Sequence, residues 1–172
     1  MNAHADHQLL QSLAQDEPGA FRAIWVAHNE RVYRLAYGVL LQEQAARDVV
    51  QEVFLEVLAV APRWRPEARL STWLHRVTMN KALNWRRRLL SFWSPPQLEA
   101  RQVGQDEELD AVRADRRLRA ALARLSPRER AVLALHWEEE LSPAEIAQAL
   151  ELAPGAVRVA LHRARKRLKE HL

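Results

Sequence analysis

The sequence predicts an all-α protein of two small helical domains joined by a flexible acidic linker, the C-terminal one carrying a helix-turn-helix. Three observations predict this. Glycine occurs only 4 times in 172 residues, while Ala, Leu, Arg and Glu dominate; these residues lose little backbone or rotamer freedom in a helix. Apolar side chains recur at helical spacing on both sides of a single break. The break itself, "SPP" at 94–96 and then the period-free "EARQVGQDEELD" at 99–110, holds prolines and unpaired like charges that cannot bury a face. The domains expected are therefore 1–93 and 111–172 with a linker at 94–110, each large enough to fold, since chains of about 60 residues can do so alone.

The first element is a short helix over Asp6 to Gln15, ended by the breaker "DEPG" at 16–19. A second runs from Ala20 to Leu40, with Phe21, Ile24, Trp25, Val32, Leu35 and Val39 as its apolar stripe. A third spans Gln44 to Val60 and stops before Pro62. "RWRPEARL" at 63–70 reads as a loop, with Ser71 as the N-cap of a helix that continues to about residue 90. Helical pattern resumes near Ala111. Two start signals follow, "SPRE" at 126–129 and "SPAE" at 142–145. In each a serine caps the first-turn N–H groups, a proline sits where its missing N–H costs nothing, and a glutamate reaches back to the serine. The second marked helix ends near Leu150, "ELA" makes a turn, and a basic helix begins at Pro154. A short helix, a three-residue turn and a longer basic helix make a helix-turn-helix.

Composition narrows the functional classes. There is no cysteine, which removes disulfides, thiolate metal sites and a cysteine nucleophile. No apolar run approaches the roughly 20 residues needed to span a bilayer, and "MNAHADHQLL" has no basic n-region before an apolar stretch, so a cytoplasmic protein without membrane insertion is expected. A Walker glycine loop, HExxH and a serine nucleophile elbow are all missing. His4 and His7 could in principle share a metal, but two histidines near a terminus are far more often solvated. No enzyme activity, catalytic residue, cofactor or metal is expected.

Charge is distributed unevenly around a net +4. On the segment 46–58, Asp48, Glu52 and Glu56 stand at i, i+4 and i+8 with Gln51 beside them, and like charges at that spacing destabilise an isolated helix by about 0.2–0.5 kcal/mol per pair. Either solubility or a basic partner explains such a ridge. "STWLHRVTMNKALNWRRRLL" at 71–90 carries five cations and no acid. Trp73, Arg76, Asn80, Asn84 and Arg87 fall within one arc of about 80° that holds no aliphatic side chain. Aromatic faces, amides and cations are the groups that hold unstacked bases, although Trp73 is equally a candidate core residue or a wall beneath such a site. On the last helix Val157, Leu161, Ala164 and Leu168 make an apolar face opposite Arg158, His162, Arg165 and Lys169.

In this order, "ARDVVQEVFLEVL" at 46–58, "STWLHRVTMNKALNWRRR" at 71–88 and "LSPRERAVLALHWEEELSPAEIAQALELAPGAVRVALHRARKRL" at 125–168 resemble the two domains of an ECF (extracytoplasmic function) sigma factor of the sigma-70 family. The resemblance implies a transcription initiation factor whose residues 1–93 form sigma region 2, binding the clamp of core RNA polymerase and opening the minus-10 element. Residues 111–172 would form region 4, binding the minus-35 element and the polymerase flap. Asp48, Gln51, Glu52 and Glu56 would meet the polymerase. Trp64, Arg65, Trp73, Arg76, Asn80, Asn84 and Arg87 would hold the non-template strand, with "RWRPEAR" at 63–69 as the loop that captures an extruded base. Arg158, Val159, His162, Arg163, Arg165 and Lys166 would face duplex DNA or the flap. An anti-sigma factor is the implied regulator.

Two departures from the family pattern stand out. Glu151 occupies the turn position where relatives usually have glycine, and a side chain is disfavoured there if φ is positive. Val159 and Ala160 replace a hydroxyl and a further basic residue, leaving the promoter sequence open. A stand-alone helix-turn-helix regulator and an interaction protein built on the same fold are the competing readings; neither needs the acidic ridge and the Trp/Asn/Arg arc in one domain.

Overall fold

The computed structural model describes residues 3–64, 69–92 and 110–172, with side chains over 5–64, 69–85 and 115–172. The expected linker therefore lies outside the described residues except for Asp110, as do Arg65 and the side chain of Arg87. Eight α-helices are described: α1 Ala3–Ala14, α2 Ala20–Leu40, α3 Glu43–Val60, α4 Leu70–Phe92, α5 Asp110–Ala123, α6 Pro127–Trp137, α7 Pro143–Leu150 and α8 Pro154–His171. A 3-10 turn at Ala61–Arg63 follows α3. No strand occurs among the described residues.

Local chemistry sets most boundaries. Gly19 precedes α2 at φ 86, a left-handed conformation that only glycine adopts without strain. Ser126 and Ser142 both form complete capping boxes, each hydroxyl accepting from the N–H of Glu129 or Glu145 while that glutamate accepts from the serine N–H. The Ser142 hydroxyl and amide together hold the Glu145 carboxyl below its usual range. Ser71 is not a cap. The helix already begins at Leu70, because the Leu70 N–H is satisfied by the distant carboxylate of Asp6 at 3.1 Å. Glu151 closes α7 at φ 53, ψ 46, so the departure from glycine does place a side chain in the left-handed region.

The helices α1–α4 share a core of Leu10, Ile24, Val49, Val53, Phe54, Leu70 and Leu74, all essentially inaccessible. A second core joins Leu125, Leu133, Leu135, Ile146, Val157, Leu161 and Leu168 to Leu35, Val39, Met79 and Ala82. The two expected units pack against each other. The apolar stripes of α2 and α4 extend past their own core, and α6 and α7 cover the excess.

Helices α2 and α6 approach closely at Gly38, where an added Cβ would lie 3.4 Å from the Ala134 Cβ. Polar anchors surround this crossing. The buried Arg130 donates from Nε to the Val39 carbonyl at 2.8 Å, and from Nη1 to the carbonyls of Leu125 at 2.7 Å and Leu122 at 3.3 Å. These oxygens belong to the ends of α2 and α5 and to the turn after α5, where carbonyls are left free and the helix dipole favours a cation. Glu139, its side chain 1 % exposed, pairs with Arg31 of α2 and, at 2.9 Å, with His75 Nε2 of α4. Burial alone would raise the Glu139 pKa; the hydrogen bonds and positive charge of His75 and Arg31 outweigh it and hold the carboxyl below its ordinary value.

Candidate nucleic-acid interface

The acidic ridge of α3 is half-buried at Asp48, Glu52 and Glu56 and exposed at Gln51. Its mutual repulsion is relieved from another helix: Lys81 of α4 lies 2.7 Å from Glu56 and 3.7 Å from Glu52. Gln44 donates to Asp48 at 3.0 Å, and Arg47 pairs with Glu43 instead. Beside the ridge, Leu55 is 65 % exposed and Leu58 42 %. One helix–turn spacing thus sets Gln51, Leu55 and Leu58 on an open face flanked by acids.

On α4, Arg76, Asn80 and Asn84 are exposed along one side. Trp73 is half-buried and meets the half-buried Trp64 edge-to-face, with ring centroids 5.7 Å apart and planes at 90°. Both rings pack against the first core and stay partly exposed. Arg76 does not project freely: it pairs with Glu151, in the turn of the helix-turn-helix, at 3.4 Å. Arg65 and the Arg87 side chain lie outside the described residues.

On α8 the apolar face at Val157, Leu161, Ala164 and Leu168 is buried, and Arg158, Val159, His162, Arg163, Arg165 and Lys166 are exposed. Val159, Arg163, Arg128 and Gly155 line a shallow groove of about 330 Å³ between the starts of α6 and α8. Arg165 is turned elsewhere, towards His136 Nε2 at 2.8 Å. A guanidinium can only donate, so Nε2 accepts and Nδ1 carries the proton that His136 gives to the Leu141 carbonyl at 3.1 Å. Arg167 binds Glu129 at 2.9 Å, tying α8 to the capping box of α6. Among the described residues no cluster of His, Asp or Glu could hold a metal ion, and no helix is long and apolar enough to cross a membrane.

Residues 24–90 match the family description "Sigma-70 region 2" and residues 115–168 match "Sigma-70, region 4". The RNA polymerase sigma-E factor of Streptomyces antibioticus is 33% identical over 93% of this chain and 88% of its own length. The chain belongs to the sigma-70 family, in its ECF group. The ECF RNA polymerase sigma factor SigE of Mycolicibacterium smegmatis is 34% identical over 84% of this chain, which spans 58% of that relative. Among solved structures, CnrH in complex with the cytosolic domain of CnrY superposes with a TM-score of 0.69 at 25% identity, covering 96% of each chain. This sigma factor is therefore a transcription initiation protein, and its α3, α4 and α8 surfaces sit inside the two matched regions.

Several residues of the sigma factor escaped the sequence reading. Lys81, Leu55 and Arg128 carried a local signal: a cation facing the acids' helix, and an apolar or basic residue off its helix's buried stripe. Glu139 and His75 carried none, because their partners lie on elements remote in sequence, and neither did the bond from Arg130 to Val39.

Proposed function

We propose that residues 1–93 of this sigma factor act as region 2 and residues 111–172 as region 4, with 94–110 between them. Asp48, Gln51, Glu52 and Glu56, together with the exposed Leu55, meet the clamp of core RNA polymerase. Trp64, Trp73, Arg76, Asn80 and Asn84, with Arg65 and Arg87, hold the non-template strand of the minus-10 element. Arg158, Val159, His162, Arg163 and Lys166 face minus-35 duplex, where early α8 residues reach base edges and later ones phosphates. Arg165 serves α8 orientation through His136 as well as the DNA face.

The observation that carries this reading is the joining of two surfaces by Lys81: the acidic and apolar face of α3 is locked to the helix bearing Trp73 and Asn80. Polymerase capture and strand capture then lie on adjoining helices of one core. The work is binding without bond chemistry, and unstacked bases must be held well enough to offset a few kcal/mol per step. Its place of action is the cytoplasm. CnrH was solved with the cytosolic domain of CnrY, and an anti-sigma factor of that kind is the regulator we assign to this chain.

Reconstitution tests the reading. The purified chain with core polymerase should direct start-site-specific transcription from a promoter mapped by sequencing transcripts that rise on its overproduction. Glu52→Lys places a second cation beside Lys81 and should lower core affinity at least tenfold while its circular dichroism and thermal transition stay intact. Normal core affinity in a folded Glu52→Lys variant would remove the α3 ridge from the polymerase surface.

A further inference from the structure

Helix α1 belongs to no surface assigned above, and the region 2 match begins only at residue 24. It nevertheless buries a carboxylate: Asp6 is 2 % exposed. A carboxylate so placed needs compensation, because an uncompensated buried ion costs several kcal/mol. Burial holds the nearby His28 below its usual pKa, against the opposing pull of Asp6. What Asp6 has is the start of another helix. Its Oδ2 accepts the backbone N–H of Leu70, sixty-four residues away, at 3.1 Å.

Leu70 is the first residue of α4, and the first-turn N–H groups of a helix have no partner inside it. Among the described neighbours nothing local serves. The residue before it, Arg69, has a side chain with donors only, and Ser71 already lies within the helix. Arg69 contributes its carbonyl, which accepts from Trp73 N–H at 3.2 Å, but the Leu70 N–H is met from α1 alone among the described residues. A negative charge at this end also complements the helix dipole. The same α1 packs on the 3-10 turn that leads into Trp64. It therefore braces both tryptophans of the edge-to-face pair, Trp64 through the turn before it and Trp73 through the first turn of α4.

We propose that Asp6 is a positioning residue for promoter opening, capping α4 from a distance so that Trp73 stands fixed against Trp64 at the start of the strand-binding face. This rests on the reading of α4 given under Proposed function. The rest of α4 is held by buried Leu74, Val77 and Met79, so loss of the cap frays the first turn without shifting Asn80 or the α3 ridge. Opening and polymerase binding should separate.

The test uses the full chain with core polymerase on the mapped promoter, scored by permanganate reactivity of minus-10 thymines, by competition for core polymerase and by thermal midpoint. Loss of a cap of ordinary strength predicts that Asp6→Ala lowers the open-complex equilibrium about fivefold, with core affinity within twofold of the parent. Asp6→Asn keeps an acceptor of the same size and should recover opening to within about threefold, the residue of its lost charge. Three results overturn the proposal: undiminished opening in Asp6→Ala, an equal fall of opening and core affinity, or an Asp6→Asn variant no better than Asp6→Ala. If Asp6→Ala shows no thermal transition, Asp6→Val takes its place with the same outcomes. Failure of the parent protein to open any promoter would instead sink the reading of α4 itself.

Discussion

Arg130 shows how one side chain can hold the molecule. It is 2 % exposed and donates to backbone oxygens of Val39, Leu122 and Leu125. Carbonyls at helix ends carry partial negative charge, so three of them stabilise the buried guanidinium. Arg130→Met keeps the length and apolar stem while leaving these oxygens without the guanidinium. Its expected cost is about 2–4 kcal/mol of unfolding free energy, read as a lower urea midpoint at unchanged slope. An unchanged midpoint would mean that water meets the carbonyls equally well. Lys81 has the opposite character: half-exposed between Glu52 and Glu56, it sets the charge of the α3 surface and contributes little to folding.

At the scale of elements, what could be read from the sequence was what is local. The "SPRE" and "SPAE" starts, the stripe of α2 from Ala20 to Leu40 and the buried face of α8 all appear where they were expected, because a capping box spans four residues and a helical face repeats every 3.6. Ser71 misled for the same reason: its spacing suits a cap, and no local pattern discloses that Asp6 takes the role from another helix. The α2–α6 contact was illegible because Gly38 and Ala134 mark it only when brought together. On α7 the two ends make contrasting predictions. Ser142→Ala removes a cap and should cost about 1 kcal/mol. Glu151→Gly relieves a left-handed side chain and should gain about 1 kcal/mol, outweighing its exposed pair with Arg76. Chemical denaturation of the two variants beside the parent checks both signs.

Across the whole molecule, regions 2 and 4 are held together by the Gly38 crossing, by Arg130 and by the Glu139 cluster. Gly38→Leu inserts a side chain where a single Cβ already touches Ala134; it should separate the units, giving a larger radius of gyration by small-angle scattering with helix content retained. Acid should weaken the same contact. The folded Glu139 pKa lies below its ordinary value of 4.5, so its stabilisation is complete above that pH and is lost as pH falls from there through the folded value. The groups facing it are Arg31 and His75, with the Arg34–Glu138 pair alongside. Glu139→Gln should remove this part of the acid limb in a pH series of thermal midpoints, and a parent-like limb in that variant would assign the loss to other carboxylates. The shared core has a further consequence, for the chain as it is made. Leu35, Val39, Met79 and Ala82 leave the ribosome before the helices that cover them, and at about 5–20 residues per second the wait lasts on the order of ten seconds. Throughout that interval the nascent chain presents a greasy helical face with no resident cover, so ribosomes stalled within α5 should display a client for chaperones where ribosomes that have released α8 display none.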